Sequence, residues 1–323
     1  MAQFTIYKST DASAPALTGE AGSLVALLYA CLVNGYGTKA GAGWTREFTG
    51  TNKAVFRPGA GARHYYQVID DGSVFSTETY KSAGLAGYET MSTVDVGTRR
   101  FPDLTLYAVR KSVALSAAAV PWQLFADGTT AYLFIYGQLT TAVYDCYVMG
   151  GFTSYVVGDA YNSIVTGCVC AAGGTMTPGY AGYGAFFIGS AIPTATTSTS
   201  RAIPRGWTQL GTPVLTTCNL PVMDDARDTA VCAPTGIASP FPSAGSLVTV
   251  PIELREKTSA TEAITRGCFR GLRGWGHSFS LLSDQGLYTA TDGKVFLGLR
   301  NVGAYAATAV TPGGVLVETS ATL

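Results

Sequence analysis

The sequence predicts a mainly β protein, antiparallel sheets packed as β-sandwiches, with one N-terminal α-helix near residues 22–33. Three observations carry this. Short runs rich in Val, Ile, Thr, Tyr and Phe recur along the chain, turn dipeptides punctuate them, and only one segment spaces its apolar residues as a helix does.

That segment places Leu24, Leu27, Leu28, Cys31 and Leu32 at i, i+3, i+4, i+7 and i+8. Ser23 stands where an N-cap would, and Asn34-Gly35 follows as a left-handed C-cap. Val25 and Tyr29 widen the apolar face, which suits a helix packed on a sheet.

Strand patterns occupy 54–57, 65–69, 104–109, 131–136, 142–149, 163–169, 246–252 and 295–299. Asp71-Gly72, Asp127-Gly128 and Asp292-Gly293 are hairpin dipeptides, tolerant of positive φ. With 39 Gly and 14 Pro spread along the length, turns are frequent. Residues 193–200 lack apolar periodicity, and 232–243 carry Pro234, Pro240 and Pro242; both read as connector loops. The charged Arg110-Lys111, followed by the small-residue run 116–119, marks a domain boundary near 115. The division is then 1–115, holding the helix and β-hairpins, and 116–323, a larger sandwich-like domain.

Charged residues make up 13% of the chain, against about 25% in ordinary soluble domains. Its 21 basic and 21 acidic residues cancel, and Arg outnumbers Lys, 14 to 7, the direction in which buried interfaces depart from open surface. Such a chain reads as a subunit whose surface meets neighbours. Without a basic patch, nucleic acid is not an expected partner. The longest apolar run, 24–33, is far short of the roughly 20 residues that span a bilayer, so no membrane segment is expected either. The N-terminus lacks a basic and then apolar leader, which points to assembly in a cytoplasm.

Candidate chemistry is sparse. His64 and His277 are the only histidines, too few for a multi-histidine metal site. His64 opens a strand pattern that runs into Asp70-Asp71-Gly72, acids that read as a hairpin turn; His277 ends a glycine-rich loop that begins at Gly271. Asp224, Asp225 and Asp228 around Arg227 lack the interleaved ligands of a calcium loop and read as a solvated or Arg-paired loop, with a carboxylate hydrolase as the rival. Gly59, Gly61 and Gly158 lack the strand–loop–helix context of phosphate binding and read as turns. The seven cysteines (Cys31, Cys146, Cys168, Cys170, Cys218, Cys232, Cys268) read as buried thiols, with a late disulfide or a metal as alternatives. No cofactor and no catalytic residue is expected.

Aromatics form 11% of the chain, and Tyr180, Tyr183 and Phe186 sit among glycines. With Trp275 they are candidates for a protein interface or a glycan-stacking face, cross-strand packing being the plainer alternative.

Three stretches resemble a family of virion structural proteins of tailed bacteriophages. The first is Tyr7-Lys-Ser-Thr-Asp-Ala-Ser-Ala-Pro-Ala-Leu-Thr-Gly-Glu-Ala-Gly-Ser-Leu, continued by Cys31-Leu-Val-Asn-Gly-Tyr-Gly and Gly43-Trp-Thr-Arg-Glu-Phe-Thr-Gly-Thr-Asn-Lys-Ala-Val-Phe-Arg. The second is Tyr132-Leu-Phe-Ile with Gly158-Asp-Ala-Tyr-Asn; the third runs from Asp292-Gly-Lys-Val-Phe-Leu to Gly314-Val-Leu-Val-Glu-Thr-Ser. The resemblance implies a non-enzymatic particle component, located in the virion, whose partners are copies of itself and other virion proteins. Head decoration and tail, collar or baseplate positions stay open. A tail module that binds a receptor or host surface glycan is the alternative.

Overall fold

The computed structural model describes residues 4–72, 81–103, 106–112, 117–136, 144–169, 201–219, 249–257, 263–275, 283–290, 292–301 and 313–319. The connectors expected at 193–200 and 232–243 lie outside these residues.

In chain order the strands are β1 (Thr5–Lys8), β2 (Thr45–Gly50), β3 (Lys53–Arg57), β4 (Tyr65–Ile69), β5 (Ser82–Thr93), β6 (Val96–Phe101) and β7 (Tyr107–Arg110). They continue as β8 (Trp122–Ala126), β9 (Thr130–Tyr136), β10 (Tyr144–Gly151), β11 (Thr153–Ser154), β12 (Ser163–Thr166), β13 (Cys168–Val169) and β14 (Arg201–Ile203). The last are β15 (Val214–Asn219), β16 (Thr249–Lys257), β17 (Ala263–Trp275), β18 (Leu287–Thr289), β19 (Val295–Asn301) and β20 (Gly313–Thr319). One helix, α1 (Ser23–Leu28), lies between β1 and β2 and continues as a π-helical turn, Tyr29–Asn34. The fold is thus mainly β with, among the described residues, a single N-terminal helical segment, and every pairing between these strands is antiparallel.

Among the described residues the strands form two sheets. The shorter runs β13-β7-β5-β4-β3-β2, with β6 on β5. The longer runs β1-β8-β9-β10-β12-β14-β15-β16-β17-β20-β19-β18, with β11 on β17. Strands from both sides of residue 115 enter both sheets: β1 pairs with β8, and β13 with β7.

Alternation along β9 and β10 explains the layering. Ala131, Leu133, Ile135, Tyr147 and Met149 face a first core shared with Phe56, Tyr66, Leu85 and Val109 of the shorter sheet and with Leu24, Leu27, Leu28, Cys31 and Leu32 of the helix. Tyr132, Phe134, Cys146 and Val148 face a second core, where the long sheet doubles back to bring Leu254, Phe269, Leu297, Val315 and Val317 against them. Because β9 and β10 are covered on both faces, they read as nearly continuous apolar runs. Phe4 meets Thr319 in a parallel bridge, which ties the start of the chain to β20.

Polar bolts join the two sheets across the first core. Arg110 donates from Nε and Nη2 to Asp145 Oδ2 at 3.1 and 2.9 Å, and Tyr66 Oη donates to the Gly150 carbonyl at 3.1 Å. Arg110 and Lys111, read from sequence as a charged boundary, are both buried. The first is held by Asp145; the second lies 2.5 Å from Asp70.

Asp70 corrects a second expectation. It is buried rather than a hairpin-turn acid, and its Oδ2 accepts the Leu24 N–H at 2.9 Å, so it caps the helix from 46 residues away. Ser23 does not cap; its hydroxyl donates to the Thr18 carbonyl, and Gly22, at φ 84°, takes the N-cap position. Gly35 has the expected positive φ, 81°, but a ψ of 168° places it outside the left-handed helical region. The pattern at 163–169 is two strands: after β12 the chain passes Gly167 and changes sheets as β13. Asp127-Gly128 and Asp292-Gly293 do connect paired neighbours, β8 to β9 and β18 to β19.

Candidate interaction surface

Of the aromatics singled out in the sequence, Tyr180, Tyr183 and Phe186 lie outside the described residues, as do His277 and the Asp224, Asp225 and Asp228 cluster. Trp275 ends β17 opposite Thr249, in backbone only. Among the described residues Cys31, Cys146 and Cys268 are buried and in no disulfide. Among the described residues no group of His, Cys, Asp and Glu could hold a metal ion, and no helix is long and apolar enough to cross a membrane.

The structure does bring one suggestive pair together. His64 Nδ1 lies 2.7 Å from Ser163 Oγ, between the two sheets. Both residues are buried, and the imidazole packs on the rings of Phe101 and Tyr161. Burial depresses the His64 pKa to about 4, the opposite of what a general base working near neutrality needs. Without solvent access to Ser163 Oγ, the pair is a contact between sheets.

A cavity of about 380 Å³ adjoins the helix start, lined by Glu20, Asp70, Lys81, Ser82 and Lys111 among others. Its two buried charges, Asp70 and Lys111, are paired. Asp70 serves Leu24 and Lys111, and Lys111 Nζ also donates to the Glu20 carbonyl and to Ser23 Oγ. Burial raises the Asp70 pKa, and the Lys111 ammonium opposes that rise.

The two most exposed large apolar side chains among the described residues, Val157 and Leu210, lie elsewhere, on two neighbouring loops. Residues 155–162 connect β11 to β12 and expose Val157 at 97% and Tyr155 at 51%. Residues 204–213 connect β14 to β15 and expose Leu210 at 73% and Trp207 at 46%. The loops touch: the Ala160 N–H donates to Gln209 Oε1 at 3.4 Å, and the Arg205 guanidinium lies 3.9 Å over the Tyr161 ring.

Both loops are fixed from below. Arg205 forms a two-pronged contact with Glu89, Nε to Oε1 and Nη2 to Oε2, each at 2.7 Å. Its Nη1 donates to the Gln209 carbonyl at 3.1 Å, and Arg99 Nη1 donates to the Gly211 carbonyl at 2.6 Å. Deeper in, the Trp207 N–H donates to Glu256 Oε1 at 3.1 Å. Burial raises the Glu256 pKa, the Trp207 N–H and Arg266 lower it, and Asp159 adds to the rise. The Tyr155 N–H donates to the Arg266 carbonyl at 3.0 Å, and Arg266 Nη2 lies 2.8 Å from Asp159 Oδ2.

Two exposed aromatics and two exposed aliphatic side chains on pinned loops are the ingredients of a protein contact: area to bury and little ordering to lose on binding. The charges beneath are paired with one another, so the surface carries no strong field of one sign. Sequence reasoning did not single out these four residues, because nothing local tells an exposed apolar loop residue from a buried one. β11 stops at Ser154, and the apolar residues continue into the loop. Compared with known proteins, the chain matches no protein-family model and no curated protein sequence.

Proposed function

We propose that the protein is a non-enzymatic structural subunit of a tailed-bacteriophage virion, joined to copies of itself and to other virion proteins by non-covalent contacts. The observation that carries the assembly step is the pinned apolar face of Tyr155, Val157, Trp207 and Leu210, in a chain with only 13% charged residues. A free monomer normally keeps a charged surface and small apolar patches; a subunit covers them with a neighbour. The virion step rests on the three stretches that resemble phage particle proteins.

The mechanism is assembly. The two stacked cores make a stiff body, and the loops between β11 and β12 and between β14 and β15 offer the face that a neighbour covers. Mass spectrometry of purified particles from a phage that encodes the chain tests the reading. Recovery in a fixed copy number per particle supports it: hundreds of copies would mean head decoration, whereas a number on the order of 3, 6 or 12 would mean tail, collar or baseplate, by the closed symmetry of such rings. A monodisperse monomer absent from particles would overturn it.

A further inference from the structure

Arg266 is fully buried, yet among the described residues its Nε, Nη1 and Nη2 make no hydrogen bond of good geometry, and its one close ionic contact there is Asp159. A buried guanidinium held so sparingly stabilises a fold poorly, since desolvation offsets most of the Coulomb attraction. Its position is informative. Asp159 belongs to the loop that displays Tyr155 and Val157. Glu256, the second acid in electrostatic contact with Arg266, holds the backbone of the loop that displays Trp207 and Leu210. Gly206 allows that approach, because a Cβ there would fall 2.6 Å from Glu256 Oε1.

We infer that Asp159, Arg266 and Glu256 form a buried latch that couples the two loops, so that Tyr155, Val157, Trp207 and Leu210 are presented as one surface. Arg266 is a positioning residue, acting through Asp159 on one loop and through Glu256 on the other. The Ala160–Gln209 bond closes the circuit at the outer ends. The role of that surface in assembly rests on the reading above; the coupling of the loops does not.

Hydrogen exchange read by mass spectrometry on the full chain, at a concentration where it is monomeric, tests the latch. Glu256→Ala removes the acceptor for Trp207 and leaves Arg266 with a single acid, a neutral pair. Amides at 204–211 are expected to exchange about tenfold faster, and amides at 155–162, which Glu256 does not bond, to follow by a similar factor, while 130–136 in β9 stays at the wild-type rate. The double variant Asp159→Leu/Arg266→Met removes the buried pair and should loosen the same two loops. Acceleration of 204–211 alone in Glu256→Ala would overturn the coupling, as would an even rise across the loops and β9, which would show mere loss of stability. Sedimentation at high concentration separates the two claims. Loosened loops with undiminished self-association would refute this face as the assembly surface and leave the latch standing.

Discussion

Acid should weaken this fold through His64, and the size of that effect follows from its surroundings. His64 lies between the sheets with Nδ1 2.7 Å from Ser163 Oγ, and burial lowers its pKa from 6.5 to about 4. A group whose folded pKa is depressed contributes stability above its unfolded pKa. That contribution is lost as pH falls from 6.5 through the folded value, because the unfolded chain takes up the proton first. With these two values the loss is about 2 kcal/mol at pH 5 and about 3 kcal/mol at pH 4. The buried carboxyls of Asp70, Asp145 and Glu256 have raised pKa values and work with the opposite sign, gaining stability as pH falls. They are present in both wild type and a His64→Gln variant, so they cancel in the difference. Urea denaturation of both proteins at pH 7.5 and pH 5 is the assay. The wild type is expected to lose about 2 kcal/mol more than the variant across that interval. A difference below about 0.5 kcal/mol would show that the imidazole is solvated or remains paired when charged, refuting the buried site.

Other perturbations probe the bolts and the packing. Asp145→Leu leaves the Arg110 guanidinium buried without its carboxylate and should cost about 3–5 kcal/mol in urea unfolding, while Arg110→Met/Asp145→Leu should recover to within about 1 kcal/mol of wild type. Equal losses in the single and double variants would contradict this. Gly87→Ala places a Cβ 2.1 Å from Cζ of the buried Phe101 ring, so a loss of about 1–3 kcal/mol is expected by thermal melting; an unchanged melting temperature would mean that the ring moves freely.

What the sequence disclosed follows the range of the interactions. Local pattern located the helix and nine of the twenty described strands, because apolar spacing along a few residues reports which faces are buried; the two longest strands, β5 and β17, were not among them. β4 spans 65–69, where the run of Tyr, Val and Ile and the turn residues after it put it. Long-range pairings are invisible to such reasoning. Nothing local distinguishes β13 from a continuation of β12, although it joins the other sheet through Tyr107 and Ala108. Asp70, Arg110 and Lys111 are polar residues of the kind found on surfaces. Each is buried because its partner arrives from a distant segment: Leu24, Asp145 and Asp70 respectively. The exposed apolar loop face was hidden for the same reason. Its exposure is set by where β11 ends and by Arg266, 107 positions along the chain from Asp159.

The central claim is that the Tyr155, Val157, Trp207 and Leu210 face is where the subunit meets its neighbours. Val157→Lys/Leu210→Lys changes two of its most exposed side chains and no core contact, so folding stability should stay within about 0.5 kcal/mol of wild type. Sedimentation velocity of wild type and variant over a range of concentration is the direct measurement. The account predicts a wild type that sediments as an oligomer and a variant that sediments as a monomer. A wild type that stays monomeric throughout, or a variant that assembles as well as wild type, would contradict it.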